Sequence, residues 1–427
     1  SKADALLSSY VSEHESRSDS PVWDCTFSHD GTTLATCHGR PDPCIRLWKY
    51  RKSENDGNCD GESSWKLVAT LRDVEGGSSS KTRTIRSIAF APTPNNVRKI
   101  LAAASFDGSV SIWEDFSSES SGKNEYTLNN DDDDAMEGVN VNTSHYSNNS
   151  CGWECTAQLE GHDNEVKDVT WNATGTLLAS CGRDKSVWIW ECFLPGTIGG
   201  DGDGSTGFSS GGEGNFECLA VLQAHEGDVK EVAFAPSHDQ FGDGDEILLS
   251  ASYDDTIKVW AEDAGDWYCA LTLSNVHTST IWSIALSPGG VRMISGSADE
   301  SLAIWRCYTV AEKNEFEDKD GGDGMESDGT WRCVGKLPSA HSGPVYSVDC
   351  APSRAGHGRI VSCGGDDRIN IYREVGGSPE APLFTVDAYA MKAHDGDVNC
   401  VKWHPVDGKM IASVGDDGRV NIWKFTM

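Results

Sequence analysis

No stretch of 18 apolar residues occurs in this 427-residue chain, so no membrane-spanning helix is expected. The opening SKADALLSSYVSEHE lacks the basic start and apolar core of a secretory signal, and none is expected. There is no C-x-x-C among 15 cysteines, no His/Cys spacing that suggests zinc, and no glycine-rich phosphate loop opening a helix. GDGDGSTG carries Asp201, Asp203 and Ser205 in the manner of a calcium loop, but Gly212 stands where the twelfth-position glutamate is required. No catalytic residue, metal site or cofactor is therefore expected. Basic residues are scarce: 35 Lys and Arg against 67 Asp and Glu leave a net charge of −32. Nucleic acid needs a basic footprint and is excluded as a partner. Much of the acid lies in inserts, where solubility is its plain role.

The cysteines that recur are Cys155, Cys218, Cys269 and Cys333, each two residues after Trp153, Phe216, Trp267 or Trp331. Such a period reads as a packing slot, not a disulfide framework, and an odd number of unpatterned thiols favours a reducing intracellular compartment. Asn142, Asn148 and Asn172 open N-x-S/T sequons that go unused in such a compartment.

What is abundant is repetition. Residues 161–191, GHDNEVKDVTWNATGTLLASCGRDKSVWIWE, read as three short strands, with apolar–polar alternation over 166–171. Trp190 has counterparts at Trp48, Trp113, Trp260, Trp305, Tyr372 and Trp423. Six residues before each aromatic stands Asp42, Asp107, Asp184, Asp254, Asp299, Asp366 or Asp417. Ten before the last five stands Ser180, Ser250, Ser295, Ser362 or Ser413, and upstream of those lies His162, His225, His277, His341 or His394. The grouping could suggest a hydrolase triad, but an active site needs one and this chain has five.

This pattern resembles WD40 repeats, whose units of about 40–45 residues form four-stranded propeller blades. The resemblance implies an all-β, seven-bladed β-propeller in a single domain. Residues 5–11 would close the last blade. The blades would span 22–71, 85–159, 166–222, 229–273, 281–337, 345–391 and 398–423, the sixth with its outer strand at 383–391. The Asn-, Gly- and acid-rich inserts 115–152, 193–215 and 309–330 are expected to be flexible loops. In this family pattern the His, Asp, Ser and aromatic residue of a blade join by hydrogen bonds. Blade 1 lacks the upstream histidine, and blade 2 carries Lys81 and Ala103 in place of His and Ser, so the pattern supports their strands but not their networks.

In a propeller, the residue entering the innermost strand and the residue before the turn aspartate point to one mouth. The first position holds Trp23, Arg86, Lys167, Lys230, Trp282, Tyr346 and Asn399; the second holds Phe106, Arg183, Tyr253, Ala298, Gly365 and Asp416. Cations on neighbouring blades 2–4, interleaved with Phe106, Tyr253 and Trp282 and followed by Tyr346, invite an anion with an apolar neighbour. A peptide bearing a carboxylate, including a free C-terminus, fits that description.

The wording narrows the family. EVKDVTW, CGRDKSVWIWE, SYDDTIKVW and KTRTIRSIAF resemble the WD-repeat subunit of the cytosolic iron–sulfur protein assembly targeting complex, with Gly182 in place of a usual serine. That resemblance implies a non-catalytic docking subunit acting in the cytoplasm and the nucleus. Its partners would be a HEAT-repeat scaffold subunit, a small subunit with a reactive cysteine, an iron-only-hydrogenase-like cluster carrier, and client apo-protein tails. Arg183 matches the family's top-face arginine. A generic WD40 scaffold of a ubiquitin ligase or chromatin complex is the alternative; it would carry further domains, which this sequence does not show.

Overall fold

Short apolar runs broken by Asp- and Gly-rich turns suit strands, and every regular element among the described residues is one. The computed structural model describes residues 18–50, 65–72, 83–93, 98–117, 152–194, 215–236, 246–309, 312, 330–352 and 358–424, and the backbone of 4–5, 7–9, 51 and 64. Lys81, Asn142, Asn148, the GDGDGSTG stretch and most of the three inserts lie outside them.

The strands form seven sheets. Blade 3 is typical: Val166–Trp171, Leu177–Gly182, Ser186–Phe193 and Asn215–Gln223 pair antiparallel in chain order. Inner strands pack against inner strands around the ring, and that of blade 7, Val398–Trp403, reaches that of blade 1, Val22–Phe27. The core lies between the blades. Val229 and Val232 of blade 4, for example, pack on Ala179, Val187 and Ile189 of blade 3. An isolated sheet would leave these faces in water, so the ring is what buries them.

Ring closure differs in detail from expectation. Within 5–11, Leu7–Ser9 pairs antiparallel with the last strand, Val420–Lys424, and completes blade 7. Ala5 goes elsewhere: Asp4–Ala5 adds a parallel fifth strand to blade 6 at Ala388–Tyr389. Blade 6 also has the longest hairpin, Ile369–Ser378 with Ala381–Ala390, so its outer strand starts two residues earlier than expected. Its partner strand runs on through Gly376 and Gly377 to a tight turn.

The turn after the second strand is tight in blades 2–7. The residue following its aspartate has a left-handed backbone at Lys185 (φ 67°), Asp255, Glu300 and Asp367, and at Gly108 and Gly418. Non-glycine residues adopt this region at a cost, offset here by hydrogen bonds to the aspartate. Asn172 is also engaged: its amide bonds Glu246, Thr174 and Thr176, so the one described sequon asparagine is buried.

Candidate docking face

The mouth is built by a bulge repeated seven times. In every blade the register between the inner and second strands slips between the first and third residues of the inner strand, as at Val166/Asp168 and Val229/Glu231. The second residue is left over: Trp23, Arg86, Lys167, Lys230, Trp282, Tyr346 or Asn399. A bulge re-aims the extra side chain. All seven line one axial cavity of about 240 Å³. The bulge also corrects the simple alternation read from the sequence. Lys167 and Asp168 are consecutive polar residues facing the channel, while Val166, Val169 and Trp171 face the core.

The cations are held against aromatic faces. Lys167 Nζ lies 4.1 Å from the Phe106 ring centre. Lys230 Nζ lies 4.9 Å from Trp282 and 5.5 Å from Tyr253. The Arg86 guanidinium lies 5.2 Å from Trp23. These distances suit cation–π attraction. Two carboxylates sit among the cations: Glu165 pairs with Lys167 at 2.6 Å and with Arg183 at 3.6 Å, and Asp228 pairs with Lys230 at 3.2 Å. At the rim, these two carboxylates face the four cations of blades 2–4. Burial lowers the pKa of Lys230; Asp228 opposes that shift, and the Lys167 and Arg86 charges add to it. Arg183 and Tyr253 are exposed, at 55% of the side chain and 62% of the residue. Trp282 and Tyr346 meet edge to face at 5.4 Å on blades 5 and 6. Ala298 and Gly365 add no functional group to that side.

Below the mouth runs a belt of hydrogen bonds from each blade to the next. Asp24 accepts from the Ile88 amide, Ser87 donates to Asp168, and Asp168 accepts from Val232. Glu231 accepts from Ile284, Ser283 from Val348, and Ser347 from Val401. Asn399 closes the circle on the Val22 carbonyl. Burial pushes Asp168 up to about 6 and Glu231 up to about 8. Burial alone would lower Lys402, but Cys400, Asp349, Glu231 and Asp24 around it raise its pKa.

Away from the channel, blades 3–7 each join histidine, aspartate and serine. In blade 3, His162 Nδ1 is 2.8 Å from Asp184 and Nε2 is 2.9 Å from Ser180, which accepts from the Trp190 indole at 3.1 Å. His225, Asp254, Ser250 and Trp260 repeat this, as do His277, Asp299, Ser295 and Trp305. So do His394, Asp417, Ser413 and Trp423. In blade 6, His341 holds Asp366 and Ser362, while the Tyr372 hydroxyl donates to the Ala340 carbonyl. The histidines and serines are buried. With five copies in five sheets, the arrangement is architectural.

The WD domain, G-beta repeat family matches residues 7–49, 65–114, 153–191, 216–261, 267–306, 331–373 and 386–424. Each match is offset from a blade by one strand: 65–114 pairs the outer strand of blade 1 with the first three of blade 2. Among curated relatives, "Probable cytosolic iron-sulfur protein assembly protein 1" of Candida albicans is 33% identical, over 90% of this chain and 94% of the relative. Proteins of the same name from Botryotinia fuckeliana and Vanderwaltozyma polyspora are 32% and 37% identical. The former match covers 82% of this chain and 85% of the relative, the latter 81% and 82%. The chain belongs to the cytosolic iron-sulfur protein assembly protein 1 family.

This member of the family has polar wiring that the repeat pattern did not reveal. Ser186, Thr256 and Ser301, two residues after the turn aspartates, donate to them at 2.5–2.7 Å. Their constant spacing was available in the sequence. Blade 1, which has no upstream histidine, uses one from its second strand: His38 Nε2 lies 3.1 Å from the Thr36 hydroxyl, which accepts from the Trp48 indole. Burial, with Arg46 adding to it, holds the His38 pKa at about 3. Asp42 is drawn off to Arg72 at 2.7 Å. In blade 2, Ala103 offers no hydroxyl, and the Trp113 indole donates to Ser111. Among the described residues, no group of three or more His, Cys, Asp or Glu side chains could hold a metal ion.

Proposed function

We propose that this propeller is a non-catalytic docking subunit that helps target iron–sulfur cluster insertion to cytosolic and nuclear apo-proteins, binding clients by a carboxylate-bearing tail. Its family is named for cytosolic iron–sulfur protein assembly, and the chain works in that machinery. The observation that carries the docking reading is the mouth. A molecule of net charge −32 sets Arg86, Lys167, Arg183 and Lys230 on three neighbouring blades beside exposed aromatic surface. Guanidinium and ammonium groups recognise carboxylates, and the rings accept an apolar side chain next to them. The clusters are cargo in this scheme. The remaining partners are the HEAT-repeat scaffold, the small reactive-cysteine subunit and the hydrogenase-like carrier, which would meet other faces of the ring.

Arg183→Glu tests the proposal, because this exposed side chain can be reversed without disturbing a core. Wild-type protein used as bait should capture both the assembly subunits and peptides matching client tails. The variant should keep the subunits and lose the peptides. Unchanged peptide capture would remove the mouth as the docking site. Capture of ubiquitin-ligase or chromatin subunits in place of assembly subunits would remove the targeting role.

A further inference from the structure

The rim of the channel is charged unevenly. Blades 2–4 carry the cations described above. Blade 7 carries Asp397 and Asp416, and a seven-membered ring sets blade 7 nearly opposite blade 3. The two residues are joined through their backbones, and the Asp416 carboxylate is held by Asn399. The Asp416 amide donates to the Asp397 carbonyl at 3.0 Å, and Asn399 Nδ2 donates to Asp416 Oδ1 at 2.8 Å. Burial pushes the Tyr346 hydroxyl up to about 12, and the nearby Asp397 and Asp416 charges add to the shift. Asp416 is exposed and Asp397 half-buried. Among the described residues neither forms an ion pair with a Lys, Arg or His, in contrast to Glu165 and Asp228 across the channel. Between the poles stand Trp282 and Tyr346, ring edge to ring face.

We propose that the mouth is a bipolar cradle for an extended peptide tail of another protein. The terminal carboxylate meets blades 2–4, an apolar residue lies along Trp282 and Tyr346, and a basic side chain upstream meets Asp397 and Asp416. This rests on the mouth being the docking site and adds what the tail must carry and which way it lies. Charge complementarity is the reason. A tail lying the other way would set its carboxylate against two unpaired carboxylates, and like charges so placed repel. An acidic residue upstream would meet the same repulsion, so the blade 7 pole also selects against uniformly acidic tails.

The test is a binding series on the full-length protein with fluorescent peptides ending in tryptophan and a free carboxylate. One set carries lysine at successive upstream positions; matched sets carry glutamine or glutamate there. At one position or more, lysine should tighten binding about 2- to 10-fold over glutamine, with glutamate weaker than both, in line with partly exposed charge pairs. Asp397→Asn with Asp416→Asn should bring the lysine peptide to the glutamine value. Asp416→Asn alone, at an exposed site, should give part of that change with an unaltered melting curve. Equal binding of lysine and glutamine peptides at every position, or a lysine preference that survives the double variant, would overturn the bipolar cradle while leaving the docking mouth intact. Failure of every free-carboxylate peptide to outbind its C-terminally amidated twin would instead overturn the mouth itself.

Discussion

Blades 3–7 and blades 1–2 reach the same four-stranded sheet through different polar wiring. The former repeat one circuit, with histidine bridging a turn aspartate to a buried serine and, in four of the five, the indole extending it. Blade 1 assembles a substitute from Thr36, His38 and Trp48, and blade 2 satisfies its tryptophan locally through Ser111. The shared requirement is that a buried indole N–H and a strained turn be satisfied, not that a particular histidine do it. Apolar pattern and register define the blade; the circuit fixes the loop that joins it to its neighbour.

That view can be tested from its largest consequence downward. The turn aspartates of blades 3–7 are depressed in the fold, Asp184, Asp366 and Asp417 to about 2 from an ordinary 3.8. Burial opposes this shift, but the bonds from histidine and from the turn outweigh it. A depressed carboxyl contributes stability that is present above its unfolded pKa and lost as pH falls through its folded value. The melting temperature should therefore drop steeply between about pH 4 and pH 2. A flat profile there would show that the five circuits add nothing. Next in size, Asp254→Ala strips partners from His225, Thr256 and the Glu226 amide. It should cost about 2–3 kcal/mol in denaturant titration, and an unchanged midpoint would count against the circuit. His38→Ala should cost about 1–2 kcal/mol, since it unseats the substitute circuit of blade 1. A value well below 0.5 kcal/mol would mean blade 1 is held by packing alone. Ser111→Ala should cost about 1 kcal/mol or less, measured the same way.

Much of this was legible in the sequence, and the rest was hidden for identifiable reasons. The fixed distance between aspartate and aromatic marks the seven units because a tight turn and a short strand tolerate no slack. The mouth residues could be named because each occupies one of two fixed positions, second in the inner strand or just before the turn aspartate. Their counter-ions Glu165 and Asp228 were overlooked, although both lie two residues before the lysine they pair with. His38 was hidden because the longer turn of blade 1 moves it out of the repeat's register. The channel belt was also missed, yet its signal is plain: Asp24, Ser87, Asp168, Glu231, Ser283 and Ser347 all stand third in an inner strand. The parallel addition of Asp4–Ala5 to blade 6 has no counterpart in the repeat, so no period could announce it.

An early strand is seated by one made much later. Leu7–Ser9 has its partner in Val420–Lys424, more than 400 residues further on. At about 5–20 residues per second, translation must run on the order of half a minute before that partner emerges. Until then six sheets can stack behind an unlatched gate, whose bare backbone edge is open to any passing β-segment. A ribosome that stops short of Val420–Lys424 would release six complete sheets with no catch. Such a product is one that cellular quality control would have cause to find.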